Sequence, residues 1–506
     1  MAFQTKSSVF ALIKEDTEGT LKYPTSGADF TVLREGFSFE GSVETIDSDE
    51  LVNDIGASKA FLSKETPSGS IPRYFKHSGV EGQAPDYGVF VESCLGTETI
   101  HAEGTTDAGS TAGDASAASV VKMTDTSGMT LGQALMYKDA TNGYQIRNVQ
   151  EVTSGTDLTM NYNVANAPGT GVLLGQAVHY SPAATGHPTF SAHLFQASAN
   201  SAYHQAQAGV RTTSLSMEFP ANELATMDVD FEGIEFFYNP VEVTAADKFV
   251  DFTDDGGAAT ATLTEKVYKS TEDFRAEVES KMNAVSTDAI TVSFDSSTGK
   301  YTAAADGAVF ELNWNTGTNT ANNAAAHLGF DDAADDTAST SYLADNALSY
   351  DPEFTPTYDD QQPNIVRFNE LTLGGFNNFS CRNGSTANFS VSTPKTDLDD
   401  FCAESGTSES LTLEREVTFT ATLYLKKHEA SDFNSFISNG DTSVMFNHGE
   451  KDAAKNWKPG TCVNVYIPKM SLTAHTLTDS DGIQVIEVEG KGFVTSAEKD
   501  IYINFL

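Results

Sequence analysis

Acidic side chains occupy alternate positions in several stretches of this sequence, with apolar residues between them. They are Glu40 and Glu44 in "FSFEGSVETI", Glu218 in "TTSLSMEF", Asp228, Asp230 and Glu232 in "ATMDVDFEG", and Glu414 and Glu416 in "LTLEREVTFTATLYLKK" at 411–427. A period of two is typical of a β-strand with one face in a core and one face exposed. We therefore expect these carboxylates to share exposed sheet faces.

The same faces carry Ser and Thr but few Lys or Arg, and this combination indicates a physical role more than a reaction. A wall of carboxylates and hydroxyls has no cations to replace the counterions of a nucleic acid, so DNA would pass along it without binding. The candidate lining residues are the eight carboxylates named above. The alternative is that these strands merely share the acidity of the whole chain.

Motifs for catalysis or metal binding are absent from the sequence. It has no GxxxxGK[ST], HExxH or GxSxG, and His187, His193 and His204 lack the spacing of metal ligands. The "DSDG" at 479–482 lacks the later ligands of a calcium loop and predicts a hairpin turn, and "DDAADD" at 331–336 predicts a solvated acidic loop. We expect no enzyme activity, no cofactor and no metal.

Composition limits the partners and the compartment. The chain has 506 residues with 71 acidic and 30 basic side chains, a net charge of −41 that disfavours nucleic acid or an anionic membrane as a bound partner. Its 32 Phe and 17 Tyr predict a folded core rather than disorder. Four cysteines without CxxC spacing predict free buried thiols, and no stretch predicts a signal peptide or a membrane span. We expect assembly in a cytoplasm.

Shifts in composition divide the chain into four parts. Residues 97–186 are rich in Ala, Gly, Ser and Thr and predict an inserted small β-barrel-like module of about five strands. Residues 241–360 predict an acidic α+β module, with a helix near 270–285, a hairpin at 289–304 and a linker-like tail at 331–360. The remaining pieces predict a first domain from 1–96 and 187–240 and a second domain from 361–506.

These two domains share an order of elements: strand, long polar loop, strand, helix, strand, strand. The helix predictions are "APDYGVFVESCLG", with Pro85 in its first turn and Gly96 after its end, and "ASDFNSFISNG", with Ser431 as cap and Gly440 at the end. The coincidence of helices and loops favours an internal duplication.

Three blocks of the sequence resemble the major tail tube proteins of long-tailed, siphovirus-like bacteriophages, here with two tube domains in tandem. They are "FEGSVET…SKETPSGSIPRYFKHSGVEGQAPDYGVFVESCLG", "TTSLSMEFPANELATMDVDFEG" and "NWKPGTCVNVYIPKMSLTA" with the final "INFL". The resemblance implies a mainly β fold: two β-sandwich or half-barrel domains, each with a flanking helix, plus the two appended modules. It also implies that inner sheets close into one barrel around a lumen.

The function implied by this resemblance is that of a structural virion protein. Its copies would form stacked rings, through the loop near 47–69, and build a tail tube with an acidic lumen for DNA ejection. A duplicated chain would need three copies per ring where single-domain relatives use six. Terminator and tape measure proteins would be further partners. An acidic β-rich adhesin or array protein is the alternative, and a polysaccharide-acting enzyme is disfavoured because Trp314 and Trp457 are the only tryptophans.

Overall fold

The computed structural model describes residues 5–48, 59–102, 104–105, 119–139, 143–164, 168, 173–198, 201–359, 361–367, 369–374, 381–425, 438, 440–454, 456–480 and 482–506. Within these ranges the fold is mainly β, as the sequence predicts. The α-helices are α1 (Gly88–Leu95), α2 (Thr271–Asn283) and α3 (Ala325–Leu328), and short 3-10 turns occur at Thr5–Ser7, Gly27–Asp29 and Thr320–Asn322.

Strands occur along the whole of the described chain. Up to residue 182 they are β1 (Ser8–Lys14), β2 (Phe30–Thr31), β3 (Ser38–Glu40), β4 (Val43–Asp47), β5 (Ala60–Glu65), β6 (Ser68–Tyr74), β7 (Gly96–His101), β8 (Gly104–Thr105), β9 (Val120–Lys122), β10 (Ala134–Asp139), β11 (Gly143–Val152), β12 (Asp157–Met160), β13 (Leu173–Leu174) and β14 (Ala177–Pro182). Up to residue 343 they are β15 (Phe190–Ser198), β16 (Ser201–Pro220), β17 (Thr226–Glu232), β18 (Glu235–Tyr238), β19 (Val241–Val243), β20 (Phe249–Asp254), β21 (Gly257–Thr262), β22 (Lys266–Tyr268), β23 (Ile290–Asp295), β24 (Lys300–Ala305), β25 (Glu311–Leu312) and β26 (Ser341–Leu343). The remainder are β27 (Glu370–Gly374), β28 (Gly384–Ser392), β29 (Lys395–Asp399), β30 (Thr407–Thr412), β31 (Glu416–Tyr424), β32 (Thr442–His448), β33 (Val463–Ser480), β34 (Ile483–Gly492) and β35 (Tyr502–Phe505).

An uninterrupted run of eight antiparallel strands forms the main layer, which we call the eight-stranded sheet. Its order is β3-β6-β17-β16-β28-β31-β34-β33, using the C-terminal halves of the two long strands β16 and β33. The first four strands come from the first domain and the last four from the second.

The two halves of this sheet repeat one connectivity, in keeping with the predicted duplication. In each half, an outer strand leads through a projecting hairpin to its neighbour, and a later two-stranded unit completes the set of four. The pairing β16–β17 shifts register between Thr212 and Ser214, and β33–β34 shifts between Leu472 and Ala474. The same bulge at the same place makes Ala474 the counterpart of Ser214.

A second layer covers one face of the eight-stranded sheet. In the first domain it consists of β2-β1-β15-β16-β18, and in the second of β27-β32-β33-β35-β14-β7. Because β16 and β33 run through both layers, each of these strands connects the two layers of its domain. The shared core contains Phe10, Phe90, Leu215, Phe389 and Val465, all fully buried.

Helix α1 fills the space between the layers and ends as predicted at Gly96. Its C-cap Gly96 adopts φ 106°, the left-handed conformation that glycine supplies most readily. The helix begins at Gly88 rather than in the turn of Pro85, and its Phe90 stacks on Phe231 of β17. The corresponding helix predicted around 431–440 lies almost entirely outside the described residues.

Two β-hairpins project from the end of the eight-stranded sheet. Hairpin 1 is β4 with β5, between β3 and β6, and hairpin 2 is β29 with β30, between β28 and β31. The sequence predicts a single strand over 411–427, with Leu411 and Leu413 in the core. This prediction is wrong, because β30 ends at Thr412 and pairs with β29, leaving both leucines exposed.

The inserted module is smaller than predicted. Its described strands form a six-stranded sheet, β8-β13-β10-β11-β12-β9, with its own core around Leu135, Tyr137 and Met160. β7 and β14, which lie inside the predicted limits 97–186, instead belong to the second layer, where β14 pairs with the C-terminal strand β35. The correction follows from hydrogen bonding, since β35 would otherwise leave one edge unpaired at a buried position.

A buried asparagine network fixes this module to the second layer. Asn464 of β33 exchanges hydrogen bonds with Asn148 of β11 at 2.7 and 3.0 Å, donates to Asn447 at 2.7 Å and accepts from Asn504 at 3.0 Å. Asn504 also accepts a bond from the backbone of Ala134, at 3.1 Å. Buried amides satisfied in this way require one orientation, so the module is rigidly seated.

The α+β module has a separate core built around α2. Ser270 caps this helix by accepting from the Asp273 amide at 3.1 Å, and Phe274, Val278 and Met282 are buried along one side, as the helical spacing predicts. The hairpin β23–β24 is also as predicted. The prediction of a linker beginning at 331 is wrong: β26 and the bond from Trp314 Nε1 to Asp336, at 3.1 Å, place this segment inside the module.

Candidate functional site

One face of the eight-stranded sheet packs on the core, and the other, which we call the polar face, is open. On β17 the side chains of Met227, Val229 and Phe231 are buried while Asp228 and Asp230 are exposed. Neighbouring strands follow the same alternation, since side chains directly opposite each other share a face. The sequence pattern therefore sets which side of the whole sheet is polar.

Six of the predicted carboxylates lie on the polar face. They are Glu40 on β3, Glu218 on β16, Asp228, Asp230 and Glu232 on β17, and Glu416 on β31. Cross-strand register places hydroxyls beside them: Asp230 lies between Ser70 and Ser214, and Glu416 is opposite Ser392.

Two predicted residues lie elsewhere. Glu44 is part of hairpin 1, because the chain leaves the sheet after Glu40 and Val43 pairs with Glu65 instead of with a sheet strand. Glu414 lies between β30 and β31, where the chain turns from hairpin 2 into the sheet. Both keep the alternating sequence pattern, but the strands on which they were placed are not continuous.

Sequence reasoning missed two carboxylates and a cation on β34. Glu487 lies opposite Thr422 and Thr476, and Glu489 lies opposite Thr420, so both share the polar face. Lys491 also lies there and pairs with Glu416. The signal was present in "QVIEVEGK", which alternates as clearly as "TMDVDFE". Carboxylates still outnumber the lysine among the described residues of this face, and hydroxyls fill most positions between them.

The two halves of the sheet meet at β16 and β28 with a regular antiparallel register. Leu215 lies opposite Val391 on the buried side and Ser216 opposite Ser390 on the polar side. Thr393 continues the contact by donating its backbone N–H to the Thr213 carbonyl, at 2.8 Å. The junction between domains is thus an ordinary strand pair, and the polar face crosses it without interruption.

Each end of the eight-stranded sheet leaves a strand edge unpaired within the described chain. β3 pairs with β6 only, and residues 474–480 of β33 pair with β34 only. An edge of this kind exposes backbone N–H and C=O groups that another strand can pair with. The two open edges belong to the first and last strands of the run.

The described residues contain no cluster of side chains suited to metal binding. No three His, Cys, Asp or Glu side chains in this part of the chain are placed to hold a metal ion. His193 and His204 do come together, with Nδ1 and Nε2 2.9 Å apart, but burial lowers the pKa of His193 to about 4 and that of His204 well below its usual value. His187 instead lies beside the Ser93 carbonyl.

The cysteines are free, as predicted, although only two are buried. Cys94 and Cys462 are buried, and Cys381 and Cys402 are exposed. Burial raises the pKa of the Cys94 thiol to about 11, so this thiol stays protonated at neutral pH. In the "DSDG" segment, Asp479 and Ser480 end β33 and pair with Gln484 and Ile483 of β34, the hairpin arrangement that the sequence predicts.

Comparison with known proteins adds no family. No protein-family model matches the sequence, and no curated protein matches it. Among the residues that the structure describes, no helix has the length and apolar composition to cross a membrane. The features that bear on function therefore belong to the sheet itself: a continuous polar face, an internal domain junction made by strand pairing, and two open edges.

Proposed function

We propose that copies of this chain pair edge to edge into a closed ring, and that stacked rings form a virion tail tube whose lumen is the polar face. The observation that carries the proposal is the β16–β28 junction. It joins the last strand of one four-stranded unit to the first strand of the next. Repeating this junction between β33 of one copy and β3 of another continues the sheet head to tail, and such a contact closes into a ring.

The internal junction also gives the register expected between copies. Ala474 is the counterpart of Ser214. Glu40 is the counterpart of Ser392, because Glu40 pairs with the first residue of β6 and Ser392 pairs with the first residue of β31. Ser214 lies opposite Ser392. We therefore expect Ala474 opposite Glu40 of the adjacent copy, and Thr476 opposite Ser38.

Three copies would supply about 24 strands to one barrel. At roughly 4.8 Å between strands and a tilt of about 40°, such a barrel is roughly 50 Å across at the backbone. Subtracting the side chains leaves a bore wide enough for a double helix. Carboxylates and hydroxyls facing this bore would repel phosphates and present few cations for them to bind, so DNA would move through freely.

Electron microscopy of the purified protein tests assembly, and a cysteine pair tests the register. We expect rings or hollow tubes, with a ring mass of three chains. In a background with Cys381→Ser and Cys402→Ser, oxidised Ser38→Cys/Thr476→Cys should give covalent oligomers.

The matched control is Ser216→Cys/Ser390→Cys, which joins residues directly opposite each other inside one chain and should give only monomers. Monodisperse single chains would refute the tube. Flat lattices would favour an array protein, and rings without the Ser38–Thr476 bond would refute this register.

A further inference from the structure

Hairpin 2 lies across the first domain of its own chain. Its Lys395 Nζ donates to the Gly233 carbonyl at 2.9 Å, and Arg211 Nε donates to Ser410 Oγ at 2.7 Å. Ser410 is only 1% exposed as a result. The base of this hairpin is therefore bound at the middle of β16 and just after the end of β17, beyond the junction that separates the two domains.

The far end of hairpin 2 reaches the base of hairpin 1. Lys64 Nζ donates to Asp399 at 3.0 Å, and the Glu65 amide donates to the Ser405 carbonyl at 2.9 Å. A Cβ built on Gly406 would lie 2.9 Å from Lys64 Cβ. Hairpin 2 thus spans the width of the neighbouring four-stranded unit, and its contacts are hydrogen bonds and ion pairs.

Hairpin 1 has the same origin in the first domain, yet it is exposed along most of its length. All five residues of β4 and the first four of β5 are exposed. Several are apolar: Val43, Ile46, Phe61 and Leu62, of which Leu62 is 76% exposed. Thr45 and Asp397 are each two residues after the first residue of their hairpins, Val43 and Lys395. Thr45 pairs with Leu62 and Asp397 pairs with Ser410, so the exposed Leu62 corresponds to the buried Ser410.

The second domain carries an exposed apolar surface at the positions where the first domain receives hairpin 2. Glu65 pairs with Val43, and Thr412 pairs with Lys395. Leu411 is therefore the counterpart of Lys64. Val494 lies two residues after Gly492, the counterpart of Gly233. Leu411, Leu413 and Val494 are all exposed in the single chain.

We propose that hairpin 1 lies across the second domain of the adjacent copy in the same ring and buries its apolar side chains on Leu411, Leu413 and Val494 there. This inference rests on the proposed ring. A second copy of this chain is the occupant that fits, because the receiving surface is the counterpart of one already filled inside the chain. Apolar side chains are exposed on both partners, and burying them favours association.

A disulfide tests the contact directly. Lys59 and Leu411 are the counterparts of Gly406 and Lys64, so Lys59→Cys/Leu411→Cys should link adjacent copies in the background with Cys381→Ser and Cys402→Ser. The in-chain control is Glu65→Cys/Ser405→Cys, which should oxidise without forming oligomers. Single rings should give a ladder of covalent species that stops at the number of chains in one ring.

A charge placed in the contact provides a second measurement. Leu62→Glu should raise the concentration needed for ring assembly by at least about tenfold, the factor expected when one buried leucine per interface is lost. Leu343→Glu, at an exposed leucine of the α+β module, should change it less than about twofold.

The outcomes separate this inference from the ring itself. Rings that form normally with Leu62→Glu and show no Lys59–Leu411 bond would overturn the hairpin contact and leave the ring intact. A ladder longer than one ring would place hairpin 1 between rings and also overturn it. Absence of rings from the unmodified protein would refute the ring, and the hairpin contact with it.

Discussion

Replacing Asn464 by leucine should separate the contribution of the asparagine network from that of packing. Leucine has the same number of side-chain heavy atoms as asparagine, so the change removes polar atoms without opening a cavity. Asn464 takes part in four buried side-chain hydrogen bonds, two with Asn148 and one each with Asn447 and Asn504. Two of them join the inserted module to the second layer.

The expected loss follows from this count. Each hydrogen bond contributes about 1 kcal/mol net, and a buried amide left without its partner costs a further 1–3 kcal/mol or so. In this variant the Oδ1 of Asn447 loses the hydrogen bond that Asn464 donates to it. Asn148 and Asn504 still donate hydrogen bonds to the Gly132 carbonyl. We therefore expect Asn464→Leu to destabilise the fold by roughly 5–7 kcal/mol.

Differential scanning calorimetry measures this effect. At about 2.1 cal/mol/K of unfolding entropy per residue, a cooperative chain of this length would lose about 5–7 °C in Tm. The control is Asn388→Leu, at a half-buried asparagine on the polar face, with an expected change under about 1 °C. Equal shifts for the two variants, or less than 1 °C for Asn464→Leu, would refute the role assigned to the network.

Three further predictions concern the polar face, pH and backbone conformation. Asp228→Lys with Asp230→Lys should leave tubes intact, since both side chains are exposed, but should make them retain DNA in a gel assay at low salt and slow DNA ejection; unchanged retention would exclude this face as the lumen. Burial lowers the pKa of His448 to about 4. The unfolded chain therefore takes up a proton near pH 6.5 that the folded chain takes up only near pH 4, and the stability of the fold decreases as the pH drops between these values. His448→Leu should reduce this loss of stability by about 3 kcal/mol, which would be measured as a weaker dependence of Tm on pH. Gly132→Ala should lower Tm much more than Gly128→Ala. Both glycines have positive φ, but a Cβ at Gly132 would lie 2.2 Å from a tyrosine ring, whereas a Cβ at Gly128 meets nothing within 4 Å. Equal Tm shifts for the two variants would contradict this packing.

Alternation in the sequence predicts which residues are in strands and which side is polar, but not where one strand gives way to another. The exposed positions of Asp228 and Asp230 are predicted correctly because β17 is one continuous strand with a paired strand on each side. Glu44 and Glu414 are mispredicted because a hairpin strand and a sheet strand both have a period of two. A change of pairing partner between them leaves that period unaltered.

The limits of the inserted module are mispredicted for a related reason. β14 and β7 are short, and their position in the second layer depends on β35, more than 300 residues later in the chain. The composition of residues 97–186 is set mainly by the loops and the six-stranded sheet, because these make up most of that range. Pairing between segments so distant in sequence leaves no local signal.

Two halves of like connectivity within one chain allow equivalent contacts to differ, and the two hairpins illustrate this. Hairpin 2 meets its own first domain through Lys395, Arg211 and the Lys64–Asp399 pair, polar contacts that form within a single chain. Hairpin 1 carries Phe61 and Leu62 at the positions of Glu409 and Ser410. An apolar contact made only between copies would strengthen the ring once it forms, because its free energy comes from surface that is buried by assembly. The unequal exposure of two equivalent hairpins is therefore what a chain built for cyclic assembly should show, and a chain that functions alone would gain nothing from it.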